Sequence, residues 1–405
     1  MKLRVPPELE AKLGSAKRRG ACVAIIAFAV AVASAGQVPR ASIDVRVAVA
    51  PTPFSGSDGQ THLAYELIIT GVSGTKGARL ERVEVFGESG AKPLLSYARE
   101  DLDERVMRPE ADPKVRYGRL VPPGSTALIH VWITLAKNQA VPRTLRHAFT
   151  ISAEDGSAVT ADEARVDVHA ATTLVLGSPF RAGAWLAHNG PGQHRSAHWG
   201  SALVTERGAR IPQRYAIDFI GVDDTGSAVR GDFRKSANED WIGFGQEVLA
   251  VVDGVVFAAR DGLPDNQPLV EPPRPSSPSA ADTYGNYLIV EVNDRTFVHY
   301  AHLQHNSVAV KTGQAVRRGQ VIGRLGNSGN TNAAHLHFNI TDGPSPEAAQ
   351  GLPFVFDSFD SLGRTTAGIA LGAEPLSGNA QFSPSTRGKA LPLDGAVARF
   401  RTPAY

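Results

Sequence analysis

The strongest constraint on the fold is a repeated pattern of short alternating apolar runs broken by turn residues. Apolar and polar residues alternate over residues 43–49, 80–86 and 127–133, a pattern typical of strands with one face on a core. The 405 residues include 40 Gly and 27 Pro, and both residue types interrupt long helices. The sequence therefore predicts a mainly β protein.

The length of the chain predicts about two to four domains. We place a β-sandwich with an immunoglobulin-like pattern at 40–175, because its strand-like runs are separated by turn residues at regular intervals. A second β region follows at 180–360 and contains a Pro-rich and Ser-rich loop at 262–282. Residues 361–405 show little periodicity, and we expect them to form a C-terminal extension.

The first 35 residues are typical of an export signal. Residues 1–20 carry six basic and two acidic side chains, and the uncharged apolar run at 21–35 ends in Ala33, Ser34 and Ala35. These 15 residues are fewer than the ~20 needed to span a bilayer, and the small residues at their end suit signal cleavage. We expect an exported protein of the periplasm or cell envelope. It would contact the membrane only through this segment, if the segment stays uncleaved.

The rest of the chain gives no support for nucleic-acid binding or for thiol chemistry. Subtracting the +4 of residues 1–20 from the whole-chain +2 leaves −2, without blocks of like charge, so no basic surface for nucleic acid is indicated. The only cysteine, Cys22, lies in the apolar run. A metal site in the exported chain must therefore use histidine and carboxylate ligands.

Histidines cluster in the second half of the chain. His335 and His337 are two residues apart in a strand-like run, so both imidazoles should enter one cleft, an arrangement suited to zinc chemistry. The loop ahead of them, residues 326–331, is rich in Gly and Asn and can present the pair at the rim of a cleft. Further upstream, His299 and His302 fall on opposite faces of a strand, so only one of them can share the cleft.

These motifs resemble the lysostaphin-type, LytM-like zinc metallopeptidases, which are peptidoglycan endopeptidases. The resemblance covers about residues 180–360 and follows the family's order and spacing. Four stretches carry it: YAHL at 300–303, GQAVRRGQVIG at 313–323, GNSGNT at 326–331 and HLHF at 335–338. The resemblance implies a LytM-type antiparallel β-sheet of duplicated, barrel-like form. It also implies that Asp218 and His337 are zinc ligands and that His302 and His335 are the catalytic histidines.

One position departs from the family's pattern. The first ligand is usually a histidine four residues before the aspartate, and this chain has Arg214 there. Arginine cannot ligate zinc, so a replacement must come from His188, His194 or His198. We favour His194, because a branch of the family carries His-Arg ahead of the sequence QRYAID, which occurs here at 213–218. His198 as the ligand, and a defective site, remain alternatives.

The resemblance implies an exported zinc metalloendopeptidase that hydrolyses peptide cross-links in bacterial peptidoglycan. Its partners would be peptidoglycan peptide stems and other cell-wall enzymes, with the sandwich positioning the enzyme on the wall or on a partner. For a Gram-negative type of wall we expect the bond from D-alanine to diaminopimelate. The main alternative is a catalytically inactive LytM-like regulator that binds and activates a cell-wall amidase. An exported zinc hydrolase acting on another substrate, such as a protein, is a third hypothesis.

Overall fold

The computed structural model describes residues 43–71, 77–88, 90–152, 158–170, 173–205, 208–272, 279–374 and 384–401. The expected export signal at 1–35, with Cys22, lies outside the described residues, as does the 273–278 part of the Pro-rich loop. All described residues fall within one compact unit, Ala41–Tyr405. None of the helices in these ranges combines the length and the hydropathy needed to cross a bilayer.

The N-terminal region is a sandwich of two antiparallel sheets with five strands each. One sheet has the order β1-β3-β8-β6 with β2 paired to β3, and the other has the order β10-β9-β4-β5 with β7 paired to β4. The strands are β1 (Ile43–Val47), β2 (Phe54–Ser55), β3 (Thr61–Gly71), β4 (Ala78–Gly87), β5 (Leu95–Tyr97), β6 (Val106–Met107), β7 (Leu120–Val121), β8 (Thr126–Leu135), β9 (Thr144–Ser152) and β10 (Ala158–Asp167), with helix α1 (Arg99–Arg105) and a 3-10 turn (Pro113–Val115) between them. The runs at 80–86 and 127–133 lie in β4 and β8, and β1 covers residues 43–47 of the third run, so the mainly β prediction is confirmed here. An immunoglobulin-like topology stays a prediction.

The described residues of the second region form fifteen further strands, most of them in one large sheet. They are β11 (Leu174–Leu176), β12 (Gly183–His188), β13 (Leu203–Thr205), β14 (Gly208–Arg210), β15 (Ile217–Val222), β16 (Glu247–Leu249), β17 (Gly254–Arg260), β18 (Asn286–Asn293), β19 (Thr296–Leu303), β20 (Ala315–Val316), β21 (Val321–Arg324), β22 (Leu336–Thr341), β23 (Phe354–Arg364), β24 (Ser385–Ala390) and β25 (Ala396–Phe400). Helices are short: α2 (Ala280–Tyr284), α3 (Ala367–Ala370), and 3-10 turns at Trp199–Ser201, Phe233–Lys235 and Asn238–Asp240.

Eleven of these strands build one sheet in the order β11-β23-β25-β12-β15-β22-β19-β18-β17-β20, with β24 paired to β23. A single apolar core runs beneath it and includes Leu336 and Phe338 of β22. Their neighbours along β22 therefore face the opposite side of the strand, which is the side that carries the candidate site.

The C-terminal segment is not an extension of the fold. We expected residues 361–405 to form a C-terminal extension, but β25 pairs with both β12 and β23, and β24 pairs with β23. Phe400 of β25 is buried and packs in the main core. These strands were not predicted because they are short and rich in small residues. Their alternation of apolar and polar residues is therefore too brief to be recognised from the sequence.

Strand β3 joins the two regions, because both of its faces are buried. Leu63, Tyr65 and Leu67 point into the sandwich core. The alternate residues face the second region, where Ala64 belongs to the main core and Ile68 packs against Trp199 and Ile211. The sandwich is thus packed directly against the region that carries the histidine cluster.

Candidate metal centre

Three neighbouring strands bring the candidate site together. Strand β22 lies between β15 and β19, and its His337 is in register with Asp218 on one side and with Ala301 on the other. His335 directly precedes β22, and His302 is the residue after Ala301. Alternation along β22 then places His335 and His337 on the same side of the strand. Four of the five predicted site residues therefore meet in one place.

The carboxylate of Asp218 is the centre of this group. Its Oδ1 lies 3.0 Å from His337 Nδ1, 3.2 Å from His198 Nε2 and 3.4 Å from His335 Nε2. Its other oxygen, Oδ2, accepts a hydrogen bond of 2.9 Å from Asn189 Nδ2. One potential ligand atom from each of His198, Asp218 and His337 lies within 4.8 Å of the other two, and all three residues are buried.

His194, which we expected as the third ligand, is not part of this group. Its Nε2 lies 3.5 Å from the Glu104 carboxylate, on the side of the sandwich. His198 lies beside Asp218 instead, because the loop from Asn189 to Ser201 ends in a 3-10 turn at Trp199–Ser201 that directs His198 inward. The structure therefore places His198 beside Asp218, and not His194 as we expected. His188 lines the same cavity but lies outside the close group.

Arg214 forms a buried ion pair with Glu66, and its hydrogen bonds within the described part of the chain do not reach His198, Asp218 or His337. Its guanidinium donates from Nε to both carboxylate oxygens of Glu66 at 2.8 and 3.0 Å, and Nη2 also contacts Glu66. Nη1 donates to the carbonyl of Gly351 at 3.2 Å. The side chains of Arg214 and Glu66 are 2% and 0% exposed. The residue at the position of the missing family ligand thus serves the contact between the sandwich and the second region.

The loop at 326–331 positions His302. Ser328 is fully buried, and its carbonyl accepts a hydrogen bond of 2.8 Å from His302 Nδ1. The loop can reach this position because Gly329 has a φ of +85°, and a Cβ there would lie 2.4 Å from the backbone nitrogen of Gly285. His302 itself has a φ of 60°, a conformation that is uncommon outside glycine and that occurs preferentially at functional sites.

His302 and His335 present the same nitrogen to the cavity. Their ring centroids are 4.7 Å apart. The Nδ1 atoms are occupied by the carbonyls of Ser328 and Ala333, each at 2.8 Å. A carbonyl oxygen can only accept, so each Nδ1 carries a hydrogen and each Nε2 is left as the nitrogen that can exchange a proton.

The electrostatics of the site follow from burying one carboxylate among histidines. Burial alone would raise the pKa of Asp218, but the charges of His198 and His335 and their hydrogen bonds hold that pKa well below its usual range. Burial would lower the pKa of His198 and of His335, but the Asp218 carboxylate raises both. Burial lowers the pKa of His302 well below its ordinary value and also lowers that of His337.

The donor set fits a divalent cation. His198 donates from Nδ1 to the carbonyl of Asn189 at 2.9 Å, and His335 donates in the same way to the carbonyl of Ala333. The Nε2 atom of each ring faces Asp218. This arrangement is favourable only if Nε2 is also protonated and donates to the carboxylate, or if its lone pair binds a cation that the carboxylate binds too. Without a cation, two buried imidazolium groups would crowd one carboxylate oxygen. His337 faces the same carboxylate oxygen with its Nδ1 at 3.0 Å, so three imidazole nitrogens surround one oxygen. Two imidazoles and one carboxylate, oriented by outer hydrogen bonds, form a set that zinc prefers.

Comparison with known proteins identifies part of the chain. Residues 240–348 match peptidase family M23, and this stretch contains His302, His335 and His337 but begins after Asp218. The second region therefore resembles a LytM-like peptidase domain.

Similar proteins of known name cover only parts of the chain. The peptidoglycan DD-endopeptidase ShyC of Vibrio cholerae is 32% identical over 96 residues, which is 24% of this chain and 19% of ShyC. The peptidoglycan DD-endopeptidase ShyB of the same species is 43% identical over 56 residues, 14% of this chain and 13% of ShyB. The chain therefore matches less than a fifth of the length of either relative.

Two solved structures are also similar. The catalytic domain of the prophage-encoded M23 protein EnpA from Enterococcus faecalis aligns with 45% of this chain and 93% of its own, at 17% identity and a TM-score of 0.25. A zinc containing peptidase from Vibrio cholerae aligns with 74% of this chain and 83% of its own, at 15% identity and a TM-score of 0.22.

The site of the LytM-like domain opens into a cavity of about 390 Å³. Its polar wall contains the histidines and Asp218, and its apolar wall includes Trp241, Leu269 and Leu371. Leu269 belongs to the Pro-rich loop and is held there by a hydrogen bond of 2.7 Å from its backbone nitrogen to the carbonyl of Asn332. The cavity therefore has an apolar wall beside its polar centre, as ligand-binding cavities commonly do.

Sequence reasoning missed Asn189, which contacts two members of the site. Its side chain donates to Asp218, and its carbonyl accepts from His198. Asn189 has a φ of 50° at the end of β12 and is followed by Gly190. An Asn-Gly pair directly after a strand is a strong turn signal, so the turn could have been predicted from the sequence, although its contacts could not.

Proposed function

We propose that the protein is an exported, zinc-dependent metalloendopeptidase that hydrolyses peptide cross-links in bacterial peptidoglycan. The observation that carries this proposal is the convergence of His198, Asp218 and His337, with His302 and His335 facing the same cavity. The M23 match supports a peptide hydrolase, and the names of ShyC and ShyB support a peptidoglycan substrate. Export rests on the signal-like sequence of residues 1–35.

In this proposal His198, Asp218 and His337 would hold a zinc ion. When bound, zinc would lower the pKa of water towards ~7 and polarise the scissile carbonyl. Asn189 orients two of the ligands, because it donates to Asp218 and accepts from His198. Such outer hydrogen bonds fix the ring that presents a ligand nitrogen.

His302 and His335 perform the proton transfers in this proposal. Water adds its oxygen to the carbonyl carbon and gives a proton to the Nε2 of one of the two rings, and the C–N bond breaks as a proton passes to the leaving amine. The Nδ1 hydrogens that are held by Ser328 and Ala333 keep each ring in the tautomer that has a basic Nε2. Burial favours the neutral form of His302, since its pKa is lowered, and this form can accept the proton.

The bond that we propose is the D,D cross-link from D-alanine to diaminopimelate. Both named relatives are called DD-endopeptidases, and a short peptide would fit the cavity of about 390 Å³. The cavity wall around Leu269 and Trp241 would contact the methyl group and the aliphatic part of such a stem peptide.

The test is digestion of purified cross-linked muropeptide dimers by the zinc-loaded chain, followed by mass spectrometry. We expect dimers to become two monomers, with one water gained per cut, and we expect the His335→Ala variant to leave them intact. His299→Ala is the matched control, because His299 is a buried histidine whose Nε2 contacts Thr341 Oγ1 at 2.6 Å. Intact dimers with the zinc-loaded wild type would contradict the proposal. Cleavage that needs an added amidase and is equal for wild type and His335→Ala would instead support the regulator.

A further inference from the structure

The loop that carries His198 is built onto the sandwich. It leaves β12 at Asn189 and ends at Ser201. Gly192 passes over the ring of Trp132, since a Cβ there would lie 3.6 Å from that ring. Trp199 packs on His130 with ring centroids 5.0 Å apart. His130 and Trp132 lie on the face of β8 that points away from the sandwich core, because the core residues Ile129, Val131 and Ile133 alternate with them.

A buried carboxylate, Glu66 of β3, lies at the centre of this contact. Glu66 is 0% exposed. Its Oε1 accepts a hydrogen bond of 3.3 Å from the indole nitrogen of Trp199 and one of 2.8 Å from Arg214 Nε. One sandwich side chain therefore binds two segments of the LytM-like domain that are separated in sequence.

Both segments lead directly to candidate metal ligands. Trp199 is the residue after His198, so fixing its indole fixes the backbone that presents the imidazole. Arg214 lies four residues before Asp218 at the entrance to β15. We propose that Glu66 is a positioning residue for the metal centre, acting through Trp199 on His198 and through Arg214 on the approach to Asp218. This inference rests on the proposed zinc site and makes the sandwich a structural part of it.

The chemistry of the contact explains why a carboxylate is needed. The guanidinium of Arg214 is buried, so it requires a charged partner as well as the Gly351 carbonyl. Charge-assisted hydrogen bonds are also the strongest and the most directional available to a buried side chain. An amide at this position could accept the indole hydrogen but would leave the guanidinium charge without a counter-ion.

The experiment compares zinc affinity of the full chain with that of Glu66→Gln, measured by competition with a chromogenic chelator. The matched control is Glu81→Gln on β4, because Glu81 also accepts hydrogen bonds within the sandwich, from Arg99, Arg119 and Ser152, but lies on the other sheet. We expect Glu66→Gln to bind zinc about 10–100-fold more weakly, as for other residues that orient ligands, and Glu81→Gln to match the wild type.

A second readout needs no metal. Amide hydrogen exchange of residues 189–201 in the zinc-free chain should be faster in Glu66→Gln than in the wild type, and unchanged in Glu81→Gln. If Glu66→Gln does not fold, Trp199→Phe removes the indole hydrogen bond to Glu66 and part of the packing on His130, and leaves the ion pair intact. We expect it to weaken zinc binding in the same direction by a smaller factor.

A folded Glu66→Gln chain, or a Trp199→Phe chain, that binds zinc as tightly as the wild type would overturn the positioning role. Equal loss of affinity in Glu66→Gln and Glu81→Gln would overturn it as well, because general destabilisation of the sandwich would then be sufficient. A wild-type chain that binds no zinc would contradict the proposed function itself, so the two failures are distinguishable.

Discussion

The buried ion pair between Glu66 and Arg214 can be tested by a double-mutant cycle, and the expected changes in the free energy of unfolding follow from the structure. The side chains are 0% and 2% exposed, and the only other polar contacts of the pair are Trp199 Nε1 and the Gly351 carbonyl among the described residues. Removing one member of such a pair leaves an uncompensated buried charge and costs about 3–5 kcal/mol. Replacing both members by apolar side chains of similar volume is often neutral.

We therefore predict that Arg214→Met and Glu66→Leu each destabilise the fold by about 3–5 kcal/mol. The double variant should be more stable than either single variant. At roughly 2–4 °C per kcal/mol for a domain of a few hundred residues, each single variant should lower the Tm by about 6 °C or more. The assay is thermal and urea unfolding of the four chains in excess chelator, since bound metal would add its own stabilisation.

The cycle has a clear contrary result. If each single variant costs less than about 1 kcal/mol, the pair behaves like an exposed salt bridge and the burial of the contact is wrong. If the double variant costs the sum of the two singles, the residues are not coupled. A double variant that regains stability but not zinc affinity would separate the packing role of the pair from its positioning role.

Three further predictions concern individual histidines. His335→Ala and His302→Ala should each keep zinc and lose about 10²–10⁴-fold in turnover, because each removes one proton-transfer group; a variant with wild-type kcat would contradict its assigned role. His299→Ala should keep turnover, because His299 is buried against Thr341. It should also lower folding stability by about 2 kcal/mol or more through the cavity that it leaves. Loss of turnover in the folded His299→Ala chain would refute this assignment. His130→Leu should reduce the loss of folding stability at acid pH. Burial lowers the pKa of His130 to about 3, and nearby His194, Arg214 and Arg105 contribute to this shift. The unfolded chain then binds one more proton than the folded chain between that value and about 6.5. Stability attributable to His130 is thus present above pH 6.5 and falls by about 2 kcal/mol from pH 7 to pH 5, and an unchanged pH profile in His130→Leu would contradict the assignment.

Local patterns in the sequence were sufficient for much of the fold and for most of the candidate site. Strands at 43–47, 78–87 and 126–135 follow from alternation alone. The spacing of His335 and His337 places both on one side of β22 without knowledge of the rest of the chain. Asp218 and His302 required the family resemblance, because neither residue stands out by periodicity.

The choice between His194 and His198 could not be made from local sequence. It depends on how the loop from Asn189 packs on the sandwich, where the bond between Trp199 and Glu66 joins residues 133 positions apart. One signal was present in β3, where Glu66 interrupts a run of apolar residues on both faces of the strand. A charged residue in a strand that is buried on both faces requires a partner, although the sequence does not name that partner.

The C-terminal strands were missed for a similar reason. Strand β25 has only five residues, and its partner β12 lies more than 200 positions earlier in the chain. A strand this short carries little periodicity, and its stability comes from the pairing with β12 and β23 and from burial of Phe400. Non-local pairing of this kind is what sequence patterns identify least well.

The central claim is that His198, Asp218 and His337 form a zinc site, and metal content tests it most directly. The measurement is the number of zinc ions per chain, determined by atomic emission after zinc supplementation and removal of excess metal, for the wild type, His198→Ala and His194→Ala. We expect one zinc per chain in the wild type and in His194→Ala, and none in His198→Ala. Zinc retained by His198→Ala and lost by His194→Ala, or no zinc in the folded wild type, would contradict it.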